Sequence, residues 1–170
     1  IKKIINFLIQ NKADYLFVSA PENVAWLLNI RGYNNPTSPI PNSRLIIGQN
    51  KKLLLITERK NVQKIIREKK ITKGQVIDFH ELRSLINQLK GTNFITDNLS
   101  CSVFIEKIIK SKFRILNQRD PIYKFKSIKN NSEIKYMIEA HKKDGLALTK
   151  FIYWIKNINK KNITEVDAQN

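Results

Sequence analysis

The sequence predicts an α/β domain with a mixed sheet, followed by one long helix near the C-terminus. Short apolar runs of strand length alternate with amphipathic helical patterns over most of the chain, which is typical of layered α/β folds. Gly48-Gln49-Asn50 separates two apolar runs and indicates a hairpin within that sheet. A further apolar stripe at helical spacing begins after residue 130.

The elements are predicted in order along the chain. An amphipathic helix is expected over 1–12 and a strand over 14–19. Pro21 suits the first turn of a helix over 21–30, and Gly32 is its expected stop. A proline-rich loop then reaches residue 42. The remaining predictions are strands at 44–47, 52–56, 76–79, 93–96 and 113–116, helices at 57–70, 80–90 and 100–112, and a linker at 117–129.

The long helix is predicted over 130–159. Asn130 followed by Glu133 predicts a capping box at its start. Because tertiary packing holds such helices together in water, we expect its apolar face to pack against more chain than the ten or so residues that follow. The chain is therefore interpreted as part of something larger. That face carries Ile134, Ile138, Leu148, Ile152 and Ile155, together with His141.

Composition limits the function classes. The 170 residues suffice for one domain with a real core, and no apolar run approaches the length of a membrane span. Cys101 is the single cysteine, so no internal disulfide can form and a cytoplasmic location is expected.

The net charge of +17 raises a nucleic-acid hypothesis. The excess is mostly Lys, it is scattered over predicted helix surfaces, and it accompanies many Asn and Ile residues, whose codons are also rich in A and T. Arg, the usual reader of base edges, is sparse. Base composition of the genome therefore explains the charge better than nucleic-acid binding does.

Metal and nucleophile patterns are weak. The chain has two His and no HExxH motif, and His141 with Asp144 offers too few ligands for one ion. His80 is expected to cap or flank a helix. Cys101 lies near a helix start, which can lower a thiol pKa, but no base adjoins it in sequence and a packed thiol is favoured. His141 is, on composition alone, most simply a core residue, and the alternative is a position facing a cleft.

Two groups of motifs resemble the Xaa-Pro aminopeptidase (aminopeptidase P) family. Ala25-Trp26-Leu27-Leu28-Asn29-Ile30-Arg31-Gly32, followed by Pro36 and Pro39, resembles a signature of that family's middle domain. The second group resembles the family's entry into its catalytic domain. It comprises Asp120-Pro121, Lys129-Asn130, Glu133-Ile134, Ala140-His141, Asp144-Gly145, Phe151, Trp154 and Thr164-Glu165-Val166-Asp167-Ala168.

The resemblance implies a fold, two domains and a role for His141. Residues 1–125 would form a creatinase/prolidase-type middle domain with a ribonuclease H-like, three-layer fold. Residues 126–170 would be the linker and first helix of an incomplete pita-bread catalytic domain. His141 matches the family's substrate-binding histidine, which would hydrogen-bond a bound peptide.

The resemblance also implies what this chain does not carry. The family binds two divalent ions, usually Mn, through two Asp, one His and two Glu, and these would follow residue 170. The chain is therefore expected to bind no metal, to contain no catalytic residue and to be inactive alone, although the intact family hydrolyses peptides with proline at position two. The alternative is a non-catalytic subunit that docks onto a separately encoded catalytic part through its apolar helix face.

Overall fold

The structure is a computed structural model, and it describes residues 1–32, 37–158 and 163–169. The chain divides into two units, Ile1–Ser127 and Ile128–Asn170. The helices of the first unit are α1 (Lys2–Gln10), α2 (Pro21–Leu28), α3 (Gln63–Arg67), α4 (Leu82–Gln88), α5 (Val103–Lys110) and α6 (Pro121–Ser127). Its strands are β1 (Tyr15–Val18), β2 (Arg44–Gly48), β3 (Leu53–Ile56), β4 (Val76–Ile77), β5 (Asn93–Thr96) and β6 (Arg114–Asn117). The second unit contains α7 (Asn131–Asn157) and α8 (Glu165–Gln169).

The strands form one six-stranded mixed sheet in the order β4-β3-β2-β1-β5-β6. β1 pairs antiparallel with β2. β2 also pairs antiparallel with β3, and this pair confirms the predicted hairpin. β5 lies parallel to both β1 and β6, and β4 lies parallel to β3. The first strand of the chain is therefore central in the sheet.

Alternating side chains of the strands form a core on each face of the sheet. On one face, Leu16 and Val18 of β1 pack with α1, α2 and α6. On the other face, Tyr15 and Phe17 pack with α4 and α5. Because strand side chains alternate between faces, fully apolar strands such as β1 require helices on both sides. The predicted α/β class and mixed sheet are confirmed.

The predicted helix over 57–70 is wrong. The structure has a 3₁₀ turn at Arg59–Asn61 and then the short α3. Val62 and Ile71 are both buried in the same core cluster. In one continuous α-helix, side chains nine residues apart would point to opposite faces. The helix therefore ends before Ile71, and Lys69 adopts a left-handed conformation at φ 55°.

Several predicted boundaries also differ. α2 ends at Leu28 with Asn29 as its left-handed cap, so Asn29, not Gly32, stops the helix. The predicted linker contains α6, which begins at Pro121 and buries Ile122 completely. Before α4, Asp78 and Glu81 form a capping box around a 3₁₀ turn, and His80 flanks that helix without capping it.

A tight turn connects α4 to β5. Gly91 adopts φ +140°, and a Cβ atom there would lie 2.7 Å from Cγ of Asp14. The Asp14 carboxylate accepts hydrogen bonds from the backbone N–H groups of Thr92 (2.7 Å) and Asn93 (2.9 Å). Glycine therefore allows the Asp14 carboxylate to approach the backbone of this turn.

The predicted long helix is present as α7, with 27 residues. Its capping box is confirmed, because Asn130 Oδ1 accepts from Glu133 N at 2.9 Å and Glu133 Oε2 accepts from Asn130 N at 2.8 Å. The predicted end at Asn159 lies outside the described residues. None of the helices in the described ranges combines the length and apolar character that a membrane span requires.

Candidate functional site

The first signature segment begins at Ala25 and occupies the second half of α2 and the loop that follows it. Pro21 is the first residue of α2, and the side chains of Asn23 and Ala25 in this helix are buried. The backbone N–H of Gly32 donates to the carbonyl oxygen of Pro39 at 2.8 Å. A Cβ atom on Gly32 would lie 2.6 Å from Cα of Pro41, so this close backbone approach requires glycine. Pro36 lies outside the described residues.

A buried polar network connects α2 to the segment before α6. Asn23 Nδ2 donates to Asp120 Oδ2 at 2.7 Å, and Lys126 Nζ donates to Asn23 Oδ1 at 2.7 Å. The backbone N–H of Asp120 donates to Asp97 Oδ2 at 2.9 Å. Asp120 Oδ1 accepts from the backbone N–H of Ile122 at 2.9 Å. Three segments that are distant in sequence therefore meet around one carboxylate.

The electrostatics of this network are dominated by burial. Asp120 and Asp97 are only 2% and 3% exposed. Burial raises the pKa of Asp120 and the Asp97 charge adds to the rise, whereas the hydrogen bond from Asn23 and the charge of Lys126 oppose it. Such a network holds the ends of β5, α2 and α6 together, because each polar group would otherwise be buried without a partner.

Tyr123 forms the outer edge of the same region. Its hydroxyl donates to Glu22 Oε1 at 3.1 Å, and the Lys126 ammonium lies 4.9 Å from the centre of its ring. Burial and the hydrogen bond to Glu22 together raise the pKa of Tyr123 to about 12. The phenol therefore stays protonated at neutral pH and acts as a donor. The sequence shows no local pattern for this network, because Asn23 precedes the first signature segment and Asp120 lies 97 residues further along the chain.

His141 lies on an exposed face of α7. Its Nδ1 is 2.8 Å from the carbonyl oxygen of Met137, one helical turn earlier. A carbonyl oxygen only accepts, so this hydrogen bond places the proton on Nδ1. Nε2 is then the acceptor in the neutral ring. In the described residues His141 is not a core histidine, because α7 buries no side chain.

An open groove of about 560 Å³ surrounds His141. The predicted apolar stripe continues along the helix, and its five isoleucine and leucine side chains are between 44% and 59% exposed. Phe151 and Trp154 stack with ring centres 6.0 Å apart. A stripe of this size on one helix is the type of surface that packs against other protein. The groove is lined by Lys129, Ile134, Met137, Ile138, His141 and Lys142.

The described residues contain no group of three or more His, Cys, Asp or Glu that is placed to hold a metal ion. His141 and Asp144 provide only two donors, with Lys142 and Lys143 between them. The donors in these parts of the chain therefore do not fit the two divalent ions that the family resemblance implies.

Cys101 is a packed thiol at the edge of the second core cluster. Burial, followed by the charge of Glu106, raises its pKa to about 11. The alternative of a lowered thiol pKa is therefore wrong. A thiol with this pKa is largely protonated at neutral pH and is a poor nucleophile.

Comparison with known families and proteins gives consistent results. A family model described as Creatinase/Prolidase N-terminal domain matches residues 1–133. A probable Xaa-Pro aminopeptidase P of Paracoccidioides brasiliensis is 31% identical, and the match covers 95% of this chain and 29% of that protein. An Xaa-Pro aminopeptidase of Drosophila melanogaster is 30% identical over 90% of this chain and 26% of its own length. The chain thus spans less than a third of these relatives.

Solved structures with similar folds include an X-prolyl aminopeptidase and a prolidase. An X-prolyl aminopeptidase from Caenorhabditis elegans, described as a cytosolic enzyme with a di-nuclear active site, superposes with a TM-score of 0.72 at 22% identity over 91% of this chain and 26% of that chain. The prolidase from Pyrococcus horikoshii gives a TM-score of 0.64 at 21% identity over 95% of this chain and 43% of that chain. These likenesses confirm the fold. With the match over residues 1–133, they show that the chain belongs to the family of creatinase/prolidase N-terminal domains.

Proposed function

We propose that this chain acts in an Xaa-Pro aminopeptidase, an enzyme that releases the N-terminal residue of a peptide with proline at position two. The observation that carries the proposal is the similarity to Xaa-Pro aminopeptidases over 90–95% of the chain. In this proposal residues 1–125 form the domain before the catalytic domain. Residues 126–170 form the linker and first helix of the catalytic domain.

The metal chemistry of such an enzyme would depend on protein outside the described residues. Two divalent ions, proposed to be Mn, would polarise the scissile carbonyl and activate a water. The donors present here do not fit them. The chain of residues 1–170 by itself is therefore proposed to be inactive as a peptidase.

An activity assay tests this proposal directly. The purified chain is incubated with an Xaa-Pro peptide and Mn, alone and after co-expression with the polypeptide encoded immediately downstream of it. We expect no turnover by the chain alone and Mn-dependent release of the N-terminal residue by the combination. Turnover by the chain alone would contradict the proposal that residues 1–170 are inactive by themselves. Absence of turnover by the combination would contradict the peptidase function itself.

His141 is proposed to bind the substrate in the combined enzyme. Its Nδ1–H is engaged by Met137, which leaves Nε2 to accept a hydrogen bond from a peptide N–H. His141→Gln should raise KM by roughly tenfold with a smaller change in kcat, because it removes a binding contact. His80→Gln is the matched control, since His80 lies on an exposed 3₁₀ turn and should leave both constants unchanged. Equal effects of the two variants would remove His141 from the site.

A second candidate function is docking through α7. It is favoured by the exposure of the apolar stripe on a helix of 27 residues. Ile138→Asp and Ile152→Asp should each weaken capture of the separately expressed catalytic polypeptide in a pull-down. Lys150→Asp gives a control on the same helix with a change of charge. If all three variants weaken capture equally, charge rather than the stripe is responsible.

A further inference from the structure

A second cavity lies within the first unit, between α1 and α6. Its volume is about 770 Å³, which falls in the range of small-ligand sites. The side chains around it combine three aromatic rings with three cations. They are Phe7, Tyr123 and Phe125, and Lys3, Arg119 and Lys124.

The three rings are half-buried and the three cations are exposed. Phe7 and Phe125 pack partly against the core, so each ring presents only part of its surface to the cavity. Lys3 Nζ lies 5.7 Å from the centre of the Phe125 ring, and Arg119 Cζ lies 5.7 Å from the centre of the Tyr123 ring. Lys3 and Arg119 therefore each lie over an aromatic ring that lines the cavity.

The positive charge of the cavity is not neutralised by nearby carboxylates. Within the described residues, Lys3, Arg119 and Lys124 form no salt bridge. Asp120 is the one acidic residue among those that line the cavity. Both of its oxygens already accept hydrogen bonds, from Asn23 and from the backbone of Ile122. An anion could therefore bind these cations without first displacing a carboxylate from them.

We propose that this cavity binds a small organic anion in which a planar ring carries a phosphate or carboxylate group. The ring would pack on Phe7, Tyr123 or Phe125, where a planar group gains stacking contacts. The anionic group would lie at the rim, within reach of Lys3, Arg119 and Lys124. The site goes beyond the proposed peptidase function, because its lining includes neither His141 nor any other residue of α7.

The test uses adenosine 5′-monophosphate as the probe, with adenosine and ribose 5-phosphate as its two halves. Each is titrated into the full chain at low salt and followed by heteronuclear NMR. We expect saturable binding of the monophosphate with shifts concentrated in α1 and in residues 119–127. Adenosine and ribose 5-phosphate should bind at least about tenfold more weakly, because each lacks one set of contacts. Absence of saturable binding by the monophosphate at millimolar concentration overturns the proposal.

Matched variants separate the cavity from the general positive charge of the chain. Lys3→Gln and Arg119→Gln should each weaken binding of the monophosphate by roughly tenfold, the usual effect of losing a charge-assisted contact. Lys90→Gln and Arg83→Gln remove the same charges from exposed positions outside the cavity and should leave affinity unchanged. Equal losses in all four variants mean diffuse attraction and overturn the site.

Discussion

At the scale of single residues, Asn23 is central to the buried polar network. Its amide nitrogen donates to Asp120 and its oxygen accepts from Lys126, so one fully buried side chain satisfies a carboxylate and an ammonium group. Removing a buried partner leaves the remaining polar group unsatisfied, which is more destabilising than the mean value of a hydrogen bond suggests.

Asn23→Ala should lower the free energy of unfolding by about 2–3 kcal/mol, because Asp120 and Lys126 each lose one buried hydrogen bond. Urea denaturation monitored by circular dichroism measures the change. Asn87→Ala, at an exposed position in α4, is the control and should change stability by less than about 0.5 kcal/mol. Equal effects of the two substitutions would show that the network contributes little.

Asp120 should make stability depend on pH. Burial raises its pKa in the folded state above the usual value of 3.8, so the folded protein binds this proton more readily than the unfolded chain does. The contribution is fully present below pH ~4 and is lost as pH rises through the raised folded pKa. Wild-type stability should therefore fall relative to Asp120→Asn as pH rises above about 4.

Denaturant unfolding at several pH values measures this difference. Asp144→Asn makes the same chemical change at an exposed position on α7 and should show no such trend relative to the wild type. A stability difference between wild type and Asp120→Asn that stays constant with pH would contradict the assigned shift.

At the scale of elements, the turn between α4 and β5 depends on one glycine. Gly91→Ala would place a non-glycine residue at φ +140° and a methyl group 2.7 Å from the Asp14 side chain. We expect a loss of more than about 2 kcal/mol in the free energy of unfolding, from backbone strain and from displacement of the Asp14 carboxylate. Gly74→Ala is the control, because a Cβ atom there meets nothing within 4 Å.

Local sequence patterns predicted β1, β2, β3, β5 and α7 well, because each carries a clear apolar period and a recognisable boundary. The hairpin residues and the Asn130 capping box are signals of this kind. Patterns failed where distant contacts decide the outcome. The break after Arg67, where Lys69 is left-handed, lets Val62 and Ile71 bury in one core cluster, and no local period reveals it.

The candidate site was predictable only in part. His141 was identified through the family resemblance, and its exposure on α7 is a feature of the structure. The network around Asp120 joins residues far apart in sequence, so spacing alone does not indicate it. The cavity between α1 and α6 depends on α6, a helix in a segment for which the sequence predicts a linker.

At the scale of the whole molecule, the chain divides after Ser127. Because α6 and the Asp120 network belong to the first unit, a chain that ends at Ser127 should keep its cooperative unfolding, with a melting temperature changed by less than about 5 °C. A chain that ends at Gln118 loses both features and should melt more than about 10 °C lower. Thermal unfolding followed by near-ultraviolet circular dichroism tests both, and similar melting temperatures for the two would place α6 outside the folding unit.

The central position of β1 has a consequence for biosynthesis. Tyr15 pairs with Phe94, so the middle of the sheet cannot close until β5 has been translated. At typical elongation rates, the ribosome takes roughly 4–16 s to add the residues in between. During that interval one edge of β1 lacks its parallel neighbour and leaves backbone N–H and C=O groups unpaired. We expect chaperones to bind the nascent chain at this stage.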